Sequence, residues 1–187
     1  MIFFISDTHF YHNNVIRLSE RPFKDMDEMH NVIIKNWNET IKKTDEIYIL
    51  GDFSFKGSAT EVNDLVKKLH GKKYLIRGNH DRYIDDPDFD HSNFEWIRYY
   101  HTFKEHNQRF VLFHYPILEW QGIHHGAIHL YGHVHNNETH LEAEVDFEKI
   151  LGTRAVNVSA EVLNYRPISI YEVLELVRTR EENRDKK

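Results

Sequence analysis

Apolar residues recur in this chain at two different periods, and the period switches from segment to segment. Ile2–Ile5 is a short continuous apolar run, the pattern of a buried strand. Met26, Met29, Ile33, Trp37 and Ile41 then recur at spacings of three and four, which predicts an amphipathic helix. Glu46–Leu50 reads as the next strand. Ser58-Ala59-Thr60-Glu61 has the form of a capping box, in which the serine oxygen and the glutamate carboxylate each satisfy an orphan amide at a helix start. Val62, Leu65, Val66 and Leu69 follow on one face, and Gly71 closes the helix. Lys73–Ile76 is a third strand. This βαβαβ order predicts parallel strands joined by right-handed crossovers.

The second half reads as richer in strands, with Trp96–Phe103, Arg109–Phe113, Ala127–Tyr131 and Ala155–Val158 as the candidates. Ser169-Ile170-Tyr171-Glu172 is a second capping box, opening a C-terminal helix that carries Val173, Leu174 and Val177. The charged stretch from Thr179 to Lys187 is expected to fray as a tail, which leaves residues 1–178 as a single domain. No repeat, linker or low-complexity block interrupts the chain.

Five of the apolar runs end in residues that bind metal ions. Phe3-Phe4-Ile5-Ser6 leads into Asp7 and His9. Ile47-Tyr48-Ile49-Leu50 leads into Gly51-Asp52. Tyr74-Leu75-Ile76-Arg77 leads into Gly78-Asn79-His80-Asp81. Arg109–Phe113 leads into His114, and Ala127–Tyr131 into Gly132-His133-Val134-His135. Ligands of open α/β sheets sit beyond the carboxyl ends of the strands, so Asp7, Asp52 and Asn79 are expected on one edge. Carboxylate, imidazole and a single amide suit manganese first, with Fe, Zn, Ni or Co as alternatives, rather than a sulfur-loving metal.

Composition narrows the chemistry. The 187 residues make one domain the expectation, and the absence of cysteine removes disulfides, thiolate zinc sites and cysteine nucleophiles. The N-terminal apolar run is too short for a signal peptide, and no run is long enough to span a membrane, so the protein is expected to be soluble and cytoplasmic. A net charge of −6 argues against a broad grip on nucleic acid. A nucleic-acid end stays open as substrate but is disfavoured beside a small phosphate ester or nucleotide. Histidine is the outlier, with 15 copies. His30, His70, His91, His101, His106 and His140 are read as scattered surface and core residues.

A pair of divalent ions explains the donor mixture. Two ions carry four positive charges, Asp7 and Asp52 remove two, and a shared hydroxide removes another. Imidazoles and the Asn79 carbonyl remove none, so the centre keeps about one positive charge and attracts a phosphate anion. Water between two ions ionises near neutral pH and needs no serine or cysteine to act as nucleophile. His80, beside Asn79 but outside the ligand scheme, is the expected general acid for the leaving oxygen. Asp81 is the candidate to orient it or to support a ligand.

Asp7-Thr8-His9, Gly51-Asp52, Gly78-Asn79-His80-Asp81, His114 and Gly132-His133-Val134-His135 occur in the order that marks the calcineurin-like metallophosphoesterase superfamily, which this chain resembles from residue 7 to residue 135. Arg21-Pro22-Phe23 and Asn164-Tyr165-Arg166-Pro167 resemble a small bacterial and phage-type branch. The resemblance implies a calcineurin-like four-layer α/β sandwich with two central mixed sheets flanked by helices. It implies that Asp7, His9 and His135 hold one metal, that Asn79, His114 and His133 hold the other, and that Asp52 bridges both. It also implies hydrolysis of phosphate esters by a metal-bridging hydroxide, with His80 protonating the leaving group; phosphodiesters or nucleotides are favoured because so small a chain has little extra structure to enclose a large protein substrate. The chain departs from the pattern at Gly51-Asp52-Phe53-Ser54-Phe55, since larger members carry a further aspartate here to support the catalytic histidine.

Other residues are weaker candidates. His12, Arg17 and Arg21 are expected to face the substrate phosphate if they are not merely solvated, and Lys56 and Arg77 stand with the arginines. His124 and His125 read as a glycine-flanked surface loop or the mouth of the site. Tyr99, Tyr100 and Phe103 read as core. The rival functions are a phosphomonoesterase of the same fold and a metal-binding scaffold without turnover. An amidohydrolase barrel is typically about 250 residues, and the chain holds no G-x-S-x-G elbow. Oligomeric state is left open.

Overall fold

A computed structural model of the chain describes residues 1–135, 147–184 and 186. The first apolar run forms β1 (Ile2–Ile5), followed by a short helix α1 (Asn13–Leu18) and the long helix α2 (Met26–Thr40). β2 (Glu46–Ile49), α3 (Ala59–Lys68) and β3 (Lys72–Ile76) complete the βαβαβ unit, and β1, β2 and β3 pair in parallel as expected. The Ser58–Glu61 capping box forms with both reciprocal hydrogen bonds. Asp25, which the periodicity alone does not mark, caps α2 by accepting from the Glu28 amide.

After β3 the chain makes β4 (Trp96–Arg98), β5 (Tyr100–Glu105), β6 (Gln108–Phe113) and β7 (Ile128–Tyr131). The short helix α4 (Phe147–Leu151), β8 (Ala155–Asn157), β9 (Ile168–Ser169) and α5 (Ile170–Arg184) follow. One sheet has the order β4-β3-β2-β1-β9, with β9 antiparallel; the other has β5-β6-β7-β8, with β5 antiparallel. Both sheets are therefore mixed, as the resemblance implies.

Strand alternation divides β1 between two cores. Phe3 and Ile5 face α2 and α3, where they meet Met29, Ile33, Trp37, Val62 and Val66. Phe4 points the other way, into the layer between the sheets, with Tyr48, Leu50, Phe110, Leu112, Leu130 and Val156. Ile170, Val173 and Val177 of α5 join that same layer. Val111, Tyr131 and Ala155 on the outer face of the second sheet are covered by Trp120 and Leu151. The architecture is thus an α/β sandwich of two mixed sheets flanked by helices. No helix of the described residues is long and apolar enough to cross a membrane.

Three expectations change. Trp96–Phe103 is not one strand: β4 pairs with β3, the chain breaks at Tyr99, and β5 pairs with β6 in the other sheet. Strand pairing is a long-range choice, and the residues around the break carry no sign of the change of partner. Tyr99 and Tyr100 are 64% and 42% exposed, so only Phe103 of that aromatic trio is core, stacked on Tyr48 and Phe110. The expected tail is helical to Arg184, and Arg178 forms ion pairs along the helix with Glu175 and Glu182.

Candidate metal centre

The carboxyl ends of β1, β2, β3, β6, β7 and β8 meet along one edge, and backbone hydrogen bonds carry the pairing past the strands. The Asp7 amide donates to the Gly51 carbonyl, the His9 amide to Asp52, and the Gly132 amide to His114. The two sheets are tied there as well. The Ser6 amide donates to Val158 at 2.8 Å, and the Ala160 amide returns to Ser6 at 2.9 Å.

Five residues of this edge hold left-handed backbones that side chains other than glycine rarely adopt. Asp7, His9, Asp52, His133 and His135 have φ of 54°, 51°, 50°, 73° and 44°. Each such conformation costs on the order of 1–3 kcal/mol and persists where the surroundings demand it, typically at functional sites. Two glycines make the crowding possible. A side chain at Gly132 would collide with the Asp7 carboxylate and Ser6, and one at Gly78 would collide with Asp52.

Two donor sets converge. In the first, the Asp7 Oδ1 lies 3.9 Å from His9 Nε2 and 3.7 Å from His135 Nε2, and the two imidazole nitrogens are 3.1 Å apart. Asp7 is fully buried and held by the His133 amide and the Ser159 hydroxyl. The second set groups Asp52, His114 and His133. His114 Nδ1 donates to the Leu50 carbonyl at 2.8 Å, which leaves an Nε2 lone pair facing Asn79 Oδ1 at 3.0 Å and Asp52 Oδ2 at 3.6 Å. Acceptors pointed at one another in this way fit a cation between them. Asp52 belongs to both neighbourhoods, because its Oδ2 is also 3.7 Å from His9 Nε2.

The charges around the two donor sets define what a cation there would have to offset. Burial pushes the Asp52 carboxyl up to about 7, with the Asp7 and Asp81 charges adding to the effect and His114 opposing it. Burial holds His9 well below its usual value, and the neighbouring His135 and Arg21 push in the same direction. His135 is pushed up to about 9, because its hydrogen bond to Glu161 and the Asp7 charge outweigh its burial. Multivalent cations favour ionised carboxylates and neutral imidazoles.

His80 stands at the rim. Its amide donates to Asp52 Oδ1 at 2.8 Å, its Nε2 is 3.9 Å from Asp52 Oδ2, and its side chain is 35% exposed. Phe55 packs edge-on against its ring, and His12 stacks on Phe55 with centroids 3.9 Å apart. His12 also reaches His9, nitrogen to nitrogen at 3.3 Å. Burial lowers the pKa of both His80 and His12, the latter to about 4.

Two expected site residues turn to the backbone of the donor loops. Asp81 is buried, and its carboxylate accepts from the amides of Asp52, Phe53 and Gly78, so it fastens two donor loops together rather than orienting His80. Arg21 is buried and cannot meet a substrate. It donates to the carbonyls of Asp7 and Thr8 and to Glu161. Arg17 lies exposed on α1, outside both donor sets. Arg77 pairs with Asp85, while Lys56 sits over the Phe55 ring. His124 and His125 form a turn beside Gly126, and His125 lines a cleft with Lys104, Arg109 and Arg154 at the end of β6 opposite His114. Outside the centre, His30 accepts from the Tyr11 amide and His70 contacts the Ile41 carbonyl, while His140 lies beyond the described residues.

Sequence reasoning missed Glu161, Ser159 and Tyr115. Glu161 and Ser159 follow β8, a sixth strand exit that the same rule would have flagged. Tyr115, next to His114, places its hydroxyl 3.3 Å from Asn79 Oδ1 and its ring against His133.

Comparison with known proteins agrees with this geometry. The family model described as calcineurin-like phosphoesterase matches residues 1–151. An uncharacterized protein of Methanocaldococcus jannaschii is 35% identical over 178 residues, covering 94% of this chain and 90% of that one. The gene 66 protein of Mycobacterium phage D29 is 28% identical over 159 residues, covering 72% of this chain and 78% of that protein. A crystal structure of a protein of unknown function from Aquifex aeolicus superposes with a TM-score of 0.74 at 29% identity, covering 94% of this chain and 98% of that one. The chain belongs to the calcineurin-like phosphoesterase family, and its donor set is that of a metal-dependent phosphoester hydrolase.

Proposed function

We propose that this protein hydrolyses phosphodiesters or nucleotide-type phosphate esters at a binuclear centre, in preference to phosphomonoesters. Asp7, His9 and His135 hold one ion, Asn79, His114 and His133 hold the other, and Asp52 is shared. The observation that carries this reading is the position of Asp52 Oδ2, 3.7 Å from His9 Nε2 and 3.6 Å from His114 Nε2. Bound ions would supply charge neutralisation on the phosphoryl oxygens and an acidified water. Donors of this hardness favour manganese, and a chain without cysteine suits the cytoplasm.

The remaining chemistry belongs to the chain. His80 carries the proton for the leaving oxygen, its side chain part-exposed at the rim. Burial lowers its pKa, which makes the imidazolium a stronger acid and its protonated form scarcer. His12 and Phe55 form one wall of the rim and the Tyr115 hydroxyl another, a surface suited to the organic half of an ester.

Parallel assays of bis-p-nitrophenyl phosphate and p-nitrophenyl phosphate, with Mn²⁺ and with chelator, test the reading. Metal-dependent turnover is expected on both, faster on the diester. A faster monoester makes the protein a phosphomonoesterase. Inertness on both with metal bound leaves a binding scaffold and overturns the hydrolase.

A further inference from the structure

The segments Arg21-Pro22-Phe23 and Asn164-Tyr165-Arg166-Pro167 come from opposite ends of the chain and meet behind the first donor set. Phe23 and Tyr165 pack edge to face at 4.6 Å, and the Arg21 guanidinium lies 5.7 Å from the Tyr165 ring centre. At the middle of this contact is Glu161. Its Oε1 accepts from Arg21 Nε at 2.8 Å and Nη2 at 2.6 Å, and from His135 Nδ1 at 2.9 Å. Its side chain is only 5% exposed and that of Arg21 is fully buried. Arg21 donates onward to the carbonyls of Thr8 and Asp7 at 2.8 and 2.7 Å.

We infer that Glu161 is a positioning residue for the metal centre: by accepting the Nδ1 proton of His135 it fixes the tautomer whose Nε2 lone pair faces Asp7 and His9, and through Arg21 it couples that imidazole to the loop carrying both. The inference rests on the reading that Asp7, His9 and His135 hold a cation. A carboxylate is the strongest acceptor a side chain offers to an imidazole N–H, and such an acceptor sets both the ring orientation and its basicity towards the metal. Burial of the pair keeps water from competing. Arg21 prevents the carboxylate from taking the proton outright, because its guanidinium stabilises the anion from the other side. A bare ion pair would need only Arg21 and Glu161. The third bond, to His135, aims the device at the centre.

The test measures zinc binding rather than turnover. Zn²⁺ titration of wild type, Glu161→Gln and Glu161→Asp by calorimetry gives affinity per folded molecule, with folding checked by circular dichroism. Glu161→Gln keeps the shape and removes the charge. Glu161→Asp keeps the charge near Arg21 and withdraws the oxygen from His135. Each is expected to weaken zinc at the first donor set about 10–100-fold. Nitrogen-15 spectra of the zinc-loaded wild type should show His135 protonated at Nδ1. In Glu161→Asp that Nδ1–H signal should shift or exchange faster as the hydrogen bond is lost. Unchanged affinity in both variants, or His135 protonated at Nε2 in the wild type, overturns the inference and leaves Glu161 as a countercharge for Arg21. Should Glu161→Gln fail to fold, Glu161→Asp decides alone. If the wild type takes up no zinc, the underlying donor assignment fails instead.

Discussion

The Phe55 ring meets the His80 imidazole edge-on, with centroids 4.7 Å apart. The expected general acid is therefore propped by hydrocarbon rather than by a carboxylate. Its orientation comes from packing and from its own amide, which is bonded to Asp52. The Asp7 charge pulls its pKa upward, but burial and the neighbouring His114 and Arg82 outweigh it.

His80→Asn should keep the metals and slow turnover by about 10²–10⁴-fold, most severely for esters with poor leaving groups. Comparing kcat on an aryl and an alkyl diester, alongside metal content, checks this. An alkyl ester cleaved at the normal rate would remove His80 from the mechanism.

Asp52→Asn should lose metal from both donor sets, since its Oδ2 stands between His9 and His114. Elemental analysis after dialysis reads the stoichiometry. Retention of two ions per chain would contradict a shared carboxylate.

Asp81→Asn should destabilise the fold by on the order of 3 kcal/mol while touching no substrate. The buried carboxylate accepts from four loop amides, and an asparagine would turn an NH₂ group towards some of them. Urea denaturation of the metal-free protein measures the loss. A midpoint equal to that of the wild type would show that the loops do not depend on this anchor.

His129 supplies a pH dependence. It is fully buried in β7 between Trp120 and Tyr131, and burial lowers its pKa to about 4 against carbonyl contacts that raise it. The folded value lies below the unfolded value of about 6.5, so the folded state binds fewer protons. Its contribution is fully present above about 6.5 and drains as pH falls towards about 4. Between neutral pH and pH 5 the loss should be about 2 kcal/mol. Denaturation midpoints of wild type and His129→Gln at both values check it: the variant should lose less stability on acidification. Equal losses would mean that His129 titrates normally.

Much of this molecule is written in local pattern. The apolar run of β1, the three-and-four spacing along α2 and the Ser58–Glu61 box each depend on neighbours within a turn or a strand, so they could be read without the fold. The candidate donor residues were legible for a related reason. A parallel sheet sends every carboxyl end to one edge, so the residue type after each strand was enough to collect Asp7, Asp52, Asn79, His114, His133 and His135.

What tertiary structure alone decided was the partner of each group. Asp81 and Arg21 carry the charges that substrate chemistry wants, yet burial gives them to loop amides and carbonyls. Trp96–Phe103 divides between two sheets because strand pairing is a long-range choice that alternation does not encode. Glu161 follows a strand as the other donors do, but its meaning depends on Arg21 and His135 arriving beside it from distant parts of the chain. Sequence sets which chemistry is available at a strand end; the packing of one sheet on the other decides which of those groups remain open to react.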